Sequence, residues 1–386
     1  MHDPAPVRYV FEDESHAAVR AQAARFAARE IAPHGAAWEE AGGFPRELYA
    51  AAAQAGVSGI GYPEALGGQG GDLGHVLVAA DALIAAGRSV GTAVGLGSHH
   101  IAAPPIVRFG TDAQRAAFVG PVLAGAQIAA LAVTEPGGGS DVAALTTTAR
   151  RDGDEYVVDG RKTFITSGTR ADWVLAAVRT GGPGHGGISL LVIERHRAGF
   201  ASGPPMRKTG WWASDTAELY FDGCRVPVAN RIGPEHGAFA MIAANFASER
   251  LMLAAQCVSI AALAYGESVA WARARRAFGK PLMGMQVTRH KLADMATQLA
   301  AARALVGEAT AQAVRGHASP GLAAMAKNAA TDMCSAVVDA AVQLHGGAGY
   351  MRETLVERLW RDARLYPIGG GTREIMNEVI AKTEGY

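Results

Sequence analysis

The stretch AFAMIAANFASERLMLAAQCVSIAALAY, Ala238 to Tyr265, carries only two charged residues, Glu249 and Arg250, side by side near its middle. Positions 239, 242, 246, 249, 253 and 260 read Phe, Ile, Phe, Glu, Leu and Ile, so an α-helix would set Glu249 in an apolar stripe. A carboxylate in that setting is taken out of water, which penalises its charged form and lifts its pKa toward that of a useful proton acceptor. Arg250 would lie about 100° further round the helix, so it need not neutralise its neighbour. The competing reading is that both ions pair with other buried charges and fix helix packing. The most apolar part, Leu251 to Tyr265, is 15 residues long, short of the roughly 20 needed to span a bilayer, and reads as a buried helix.

Working outward, the segments Ala238 to Trp271, Gln286 to Gly316 and Gly321 to Leu344 are long enough for an antiparallel helical bundle, and a last helix follows the glycines at 369 to 371. Upstream, from about Gln127 to Asn230, IAALAVT, TTTARRDGDEYVVDGRKTFIT, DWVLAAVRT, GGISLLVIE and TAELYFDGCRV are short β-favouring runs between turn signals. The Asp-Gly pairs in RDGDE and VVDGR predict tight turns and antiparallel connections. From about Phe11 to Val122, stretches such as SHAAVRAQAARFAAREIAPH suit amphipathic helices, punctuated by GGQGG and by Pro104-Pro105. The texture predicts an α+β multidomain chain: a helical N-terminal domain (1–124), a middle antiparallel β-domain (125–232) and a C-terminal helical bundle (233–386).

With 386 residues and 49% hydrophobic content the chain has ample core. Lys plus Arg and Asp plus Glu are balanced at 36 each, so no overall basic field would gather nucleic acid or anionic lipid. Cys224, Cys257 and Cys334 are far apart and outside any CxxC or Cys/His ligand pattern, which reads as reduced core thiols in a cytosolic protein. The amino terminus, MHDPAPVRYVFEDESH, lacks the basic and apolar regions of an export signal. No metal site is expected: His99 and His100 are adjacent without HExxH spacing, and His345 sits inside a glycine loop. Ser140 lacks a GxSxG elbow, so hydrolase chemistry is not indicated.

In VTEPGGGSD, Val133 to Asp141, a strand-like run gives way to three glycines whose bare backbone can approach a planar or phosphorylated ligand. The segment has neither the GxGxxG of a Rossmann site nor a Walker loop. Three further segments join it: KTFITSG (Lys162 to Gly168), RRAFGKPLMGMQ (Arg275 to Gln286) and QLHGGAGY (Gln343 to Tyr350). In this order and spacing, together with SDTAELYFDGCRVP (Ser214 to Pro227), they resemble the acyl-CoA dehydrogenase family over essentially the whole chain.

That resemblance implies a helical domain, a β-domain and a four-helix bundle holding FAD beside an acyl-CoA thioester. It assigns Leu131, Val133, Thr134 and Ser140 to the flavin, Ser140 also to substrate, with Phe164, Ile165 and Thr166 as the next wall. The family usually has Trp where this chain has Phe164, which keeps an aromatic platform and loses an indole N–H. Arg275 would meet the pyrophosphate of a neighbouring subunit's FAD. Phe278, Gln286, Gln343, Gly346 and Gly347 would complete its adenine and ribose side, with Thr372 and Glu374 as further cofactor contacts, implying a homotetramer. Many relatives carry the catalytic glutamate in a Y-E-G-T segment, but Gly369 to Thr372 here read GGGT, and Gly370 cannot take a proton. Isovaleryl-CoA and long-chain acyl-CoA dehydrogenases share that absence and use a Glu before Arg-Leu, as Glu249, Arg250 and Leu251 stand here. Arg250, Gly370 and Gly371 would then border the substrate, the Gly370 N–H supporting the thioester carbonyl.

The expected activity is FAD-dependent α,β-dehydrogenation of an acyl-CoA, with electrons passed to an electron-transferring flavoprotein. The alternatives are an oxygen-using oxidase, a dehydrogenase of a carrier-protein thioester and a noncatalytic thioester-binding protein. The small residues at Gly91 to Gly97 are expected either to line a roomy tail pocket or to serve close helix packing.

Overall fold

The computed structural model describes residues 8–386. The reading of the amino-terminal MHDPAPV as part of a chain without an export signal lies outside the described residues. Helices occupy the chain up to Gly120–Leu123, strands follow from Ala129 to Ile232, and helices return at Ala238.

The sheet contains β1 (Ala129–Ala132), β2 (Thr148–Asp152), β3 (Glu155–Thr166), β4 (Trp173–Arg179), β5 (Ile188–Glu194), β6 (Phe200–Ser202), β7 (Thr216–Pro227) and β8 (Arg231–Ile232). Its order is β6-β7-β3-β2-β4-β5-β8, with β1 beside β4. The expected antiparallel pairing holds except that β1 and β4 run parallel, as does the single Thr148–Arg179 pair. The physical reason is the return path: the chain after β3 comes back to the end where β1 began, and the Asp172 N–H bonds the Ile128 carbonyl there at 2.8 Å. One Asp-Gly pair makes the turn expected of it, Gly153 closing the β2–β3 hairpin at φ 64°. The other does not. Asp159 and Gly160 lie inside β3 at an irregularity opposite β7, where a side chain on Gly160 would come within 2.7 Å of the Thr147 Cα.

The bundle consists of Ala238–Ala274, Gln286–Val314, Pro320–His345 and Arg373–Glu384, with the short helix Leu355–Ala363 packed on it. By length and composition its first helix could cross a membrane, yet 61% of its most apolar window is buried inside the protein. Leu251, Ala254, Ala255, Val258 and Ile260 form its buried side, so the apolarity is that of a core helix. The N-terminal helices are tied to it through Asp81, a buried carboxylate that accepts from both Arg20 and Ser259. All three cysteines are free and buried.

Candidate active site

The long helix brings Met241, Asn245, Ser248, Glu249 and Met252 onto one wall of a cavity of about 290 Å³. The opposite wall comes from the N-terminal helices, including Tyr62, Val76, His100 and Pro104 to Phe109. The glycines Gly91 and Gly95 are not part of it. A side chain on Gly91 would meet the Glu39 carboxylate at 2.6 Å, and one on Gly95 the Phe44 ring at 2.7 Å, so these residues serve close helix packing.

Among the described residues, neither Glu249 nor Arg250 makes an ion pair. Burial raises the Glu249 pKa above its ordinary 4.5, with Arg250 and Lys327 pulling the other way. Arg250 places its guanidinium over the Phe246 ring at 5.1 Å and leaves its buried Nε without a partner.

Against the Glu249 carboxylate lies the glycine loop before the last helix. Gly370 has φ 65°, and a Cβ there would stand 2.4 Å from Leu253 Cδ1 and 3.6 Å from Glu249 Oε1. Only glycine fits that backbone without displacing Leu253. Gly371 follows at φ 95°, where a Cβ would come within 3.9 Å of Arg250 Nη2. Thr372 caps the last helix by accepting from the Ile375 N–H at 3.3 Å, and Glu374 is exposed in its first turn.

The sheet supplies a second wall. Thr134 follows β1, and its carbonyl accepts from the Thr163 N–H of β3 at 2.9 Å. Glu135 turns inward, accepting from Lys162 Nζ at 2.8 Å, from the Thr146 N–H and hydroxyl, and from the Thr147 N–H. Burial pushes the Glu135 pKa up, but these partners outweigh it and hold it at about 2. That pair was not legible as a unit in the sequence, and it anchors the glycine loop to β3. Leu131 and Val133 are half-buried, while Ser140 and the loop's glycines are exposed. Phe164 stands 67% exposed at φ 58°, turned out of the sheet, and the neighbouring Thr166 is half-exposed. Ile165 is 3% exposed in the core, just past the irregularity in β3 at which Phe164 takes φ 58° and turns outward. It can meet a ligand only through its backbone.

This wall fits a flavin. An aromatic ring lies open beside a threonine hydroxyl, Gly137 and Gly138 have free space where side chains would stand, and the buried Ser167 hydroxyl has no partner.

The remaining residues that the resemblance assigns to the cofactor gather at the other end of the bundle. Arg275 caps the long helix, with its guanidinium 6.0 Å from the Trp271 ring, and Trp271 stacks on His345 at 4.8 Å. Gln343, Gly346 and Gly347 surround that histidine, Gln286 opens the second bundle helix, and Phe278 is 94% exposed in the turn between them. At 1.5 Å per residue, Arg275 lies about 39 Å along the helix from Glu249. The two groups therefore do not converge on one site within the chain.

Comparison with known proteins identifies the family and its three domains. Family models for the N-terminal, middle and C-terminal domains of acyl-CoA dehydrogenase match residues 13–126, 130–224 and 236–384. The long-chain specific acyl-CoA dehydrogenase of Sus scrofa mitochondria is 37% identical over 380 residues, covering 97% of this chain and 87% of its own. The isobutyryl-CoA dehydrogenase of Bos taurus is 36% identical over 359 residues, covering 93% and 86%. A crystal structure of a probable acyl CoA dehydrogenase from Mycobacterium abscessus superposes with a TM-score of 0.95 at 48% identity, covering 97% of this chain and 99% of its own.

Proposed function

The chain belongs to the acyl-CoA dehydrogenase family of FAD-dependent oxidoreductases, and on that premise we propose that it converts an acyl-CoA to the trans-2-enoyl-CoA with Glu249 as the base. The observation that carries this reading is a carboxylate that makes no ion pair among the described residues, borders a ligand-sized cavity, and lies 3.6 Å from where a Cβ on Gly370 would stand. FAD, when bound, would supply the two-electron acceptor for the hydride that leaves Cβ.

The chain's own residues do the rest. Glu249, ionised, takes the α-proton, and its burial makes it a stronger base than an exposed carboxylate. The Gly370 N–H donates to the thioester carbonyl oxygen, which gains charge as that proton leaves. Phe164, Thr134 and Thr166 would hold the flavin, leaving Glu249 to serve the acyl chain. Arg250, cradled over Phe246, borders the substrate and lends positive potential without capturing the base. Arg275, Phe278, Gln286 and the Gln343 to Gly347 loop serve the FAD of a neighbouring subunit in a homotetramer, and the 39 Å along the helix supports that reading. An electron-transferring flavoprotein is the proposed acceptor, in the cytoplasm.

Glu249→Gln keeps the volume and removes the basic oxygen. It is expected to lower kcat by about 10² to 10⁴-fold with FAD content unchanged. Turnover near the wild-type rate would refute the assignment of the base.

A further inference from the structure

Lys327, in the third bundle helix, is 1% exposed, yet among the described residues it has no carboxylate partner. Its ammonium donates instead to two backbone carbonyls, those of Gly369 at 2.6 Å and of Gly371. These two carbonyls bracket Gly370, where a Cβ would stand 3.6 Å from Glu249 Oε1. A charged side chain buried among glycine carbonyls is costly to maintain, so its geometry calls for a reason.

The peptide plane supplies one. No peptide bond here is cis, and in a trans peptide the N–H points opposite to the C=O of the same unit. The Gly369 carbonyl and the Gly370 N–H belong to one such unit. With the carbonyl drawn to Lys327, the Gly370 N–H must turn away from the lysine, and it has no acceptor among the described residues. A cation bonded to the carbonyl also polarises the peptide, which strengthens its N–H as a donor. The glycines at 370 and 371, at φ 65° and 95°, have no side chains to hold this loop in place, so the lysine does so from below.

We propose that Lys327 is the positioning residue of the thioester-binding loop: by gripping the carbonyls on either side of Gly370 it aims and polarises that residue's N–H at the substrate carbonyl. This rests on the reading of Glu249 and Gly370 given above, and it adds a residue that touches neither substrate nor cofactor. The effect is confined to states in which the thioester oxygen carries extra negative charge.

The test uses the flavin-loaded enzyme with Lys327→Met, which fills the same space without donors, and Lys327→Gln, which keeps a neutral donor. Lys327→Met is expected to lower kcat by about 10² to 10³-fold, as loss of an oxyanion donor does, with KM changed by less than about threefold. Two ligands separate positioning from structure. A 3-ketoacyl-CoA, which gives up its acidic α-proton and binds as the enolate, is expected to lose affinity by about the same factor as kcat. The trans-2-enoyl-CoA product of equal length is expected to bind within about threefold of wild type. Lys327→Gln is expected to fall between wild type and Lys327→Met, and it supplies the same comparison if the methionine variant does not fold. Equal losses for both ligands, or kcat within about threefold of wild type in a flavin-loaded variant, would overturn the proposal. If Glu249→Gln is inactive while the Lys327 variants are normal, only the role of Lys327 fails; if Glu249→Gln is active, the reading of the base fails first.

Discussion

Moving a carboxylate out of water raises the free energy of its charged form more than that of its neutral form, and Glu249 bears this cost with no cation bound to it. The same burial sets a limit on the acid side of the reaction. Glu249 must be ionised to take a proton, and its pKa lies above the ordinary 4.5, so kcat/KM is expected to rise with pH through a limb displaced above 4.5. A pH profile with a stable acyl-CoA checks this, and a limb at or below 4.5 would contradict it. Glu249 was legible in the sequence because it interrupts an apolar run with helical spacing, a pattern that needs no partner to be seen. Lys327 was not: its partners are carbonyls 42 and 44 residues away, and carbonyls are the same in every residue. The burial of the Ile165 side chain was not legible either, because it depends on the irregularity in β3 at Phe164, which turns one side chain outward and leaves the next in the core.

At the scale of elements, the glycine loop Val133 to Asp141 is held by one buried ion pair. Glu135 gathers Lys162 of β3 and the Thr146 and Thr147 N–H groups, closing the loop over the strand that carries Phe164. Glu135→Gln leaves the Lys162 ammonium buried without its anion and is expected to destabilise the fold by about 3 to 5 kcal/mol, read as a shift in urea midpoint. The pH sign follows from the depressed pKa. The contribution is fully present above the ordinary value of 4.5 and is lost as pH falls toward about 2. Stability should therefore depend less on pH across that window in Glu135→Gln than in wild type. Most elements could be read from pattern, since the long helices and short strands have different periods. The Asp159-Gly160 pair shows where pattern ends: the dipeptide that closes a hairpin at Gly153 also suits a bulge, and only the close approach of Thr147 decides between them.

For the whole molecule, the decisive quantity is the 39 Å between Glu249 and Arg275 along one helix. If each flavin takes its pyrophosphate contact from a neighbour, Glu249→Gln and Arg275→Gln chains should complement each other. A mixed assembly would pair an intact Glu249 from one chain with an intact Arg275 from the other, and activity is expected to recover toward about half per mixed pair. Refolding the two variants together and assaying against each alone checks this; no recovery would place both groups in one chain's site. The relatives at similar identity act on long-chain and isobutyryl thioesters by name, so overall likeness does not discriminate chain length.

The helix Ala238–Ala274 also works as a rigid gauge. Adding one residue between its two functional ends would lengthen it by about 1.5 Å and swing one end about 100° against the other. Descendants of this sequence can therefore grow or shrink in exposed stretches such as residues 182–186, but if Glu249 and Arg275 serve different subunits' flavins as proposed, a single-codon insertion or deletion inside that rod should uncouple the two in one step.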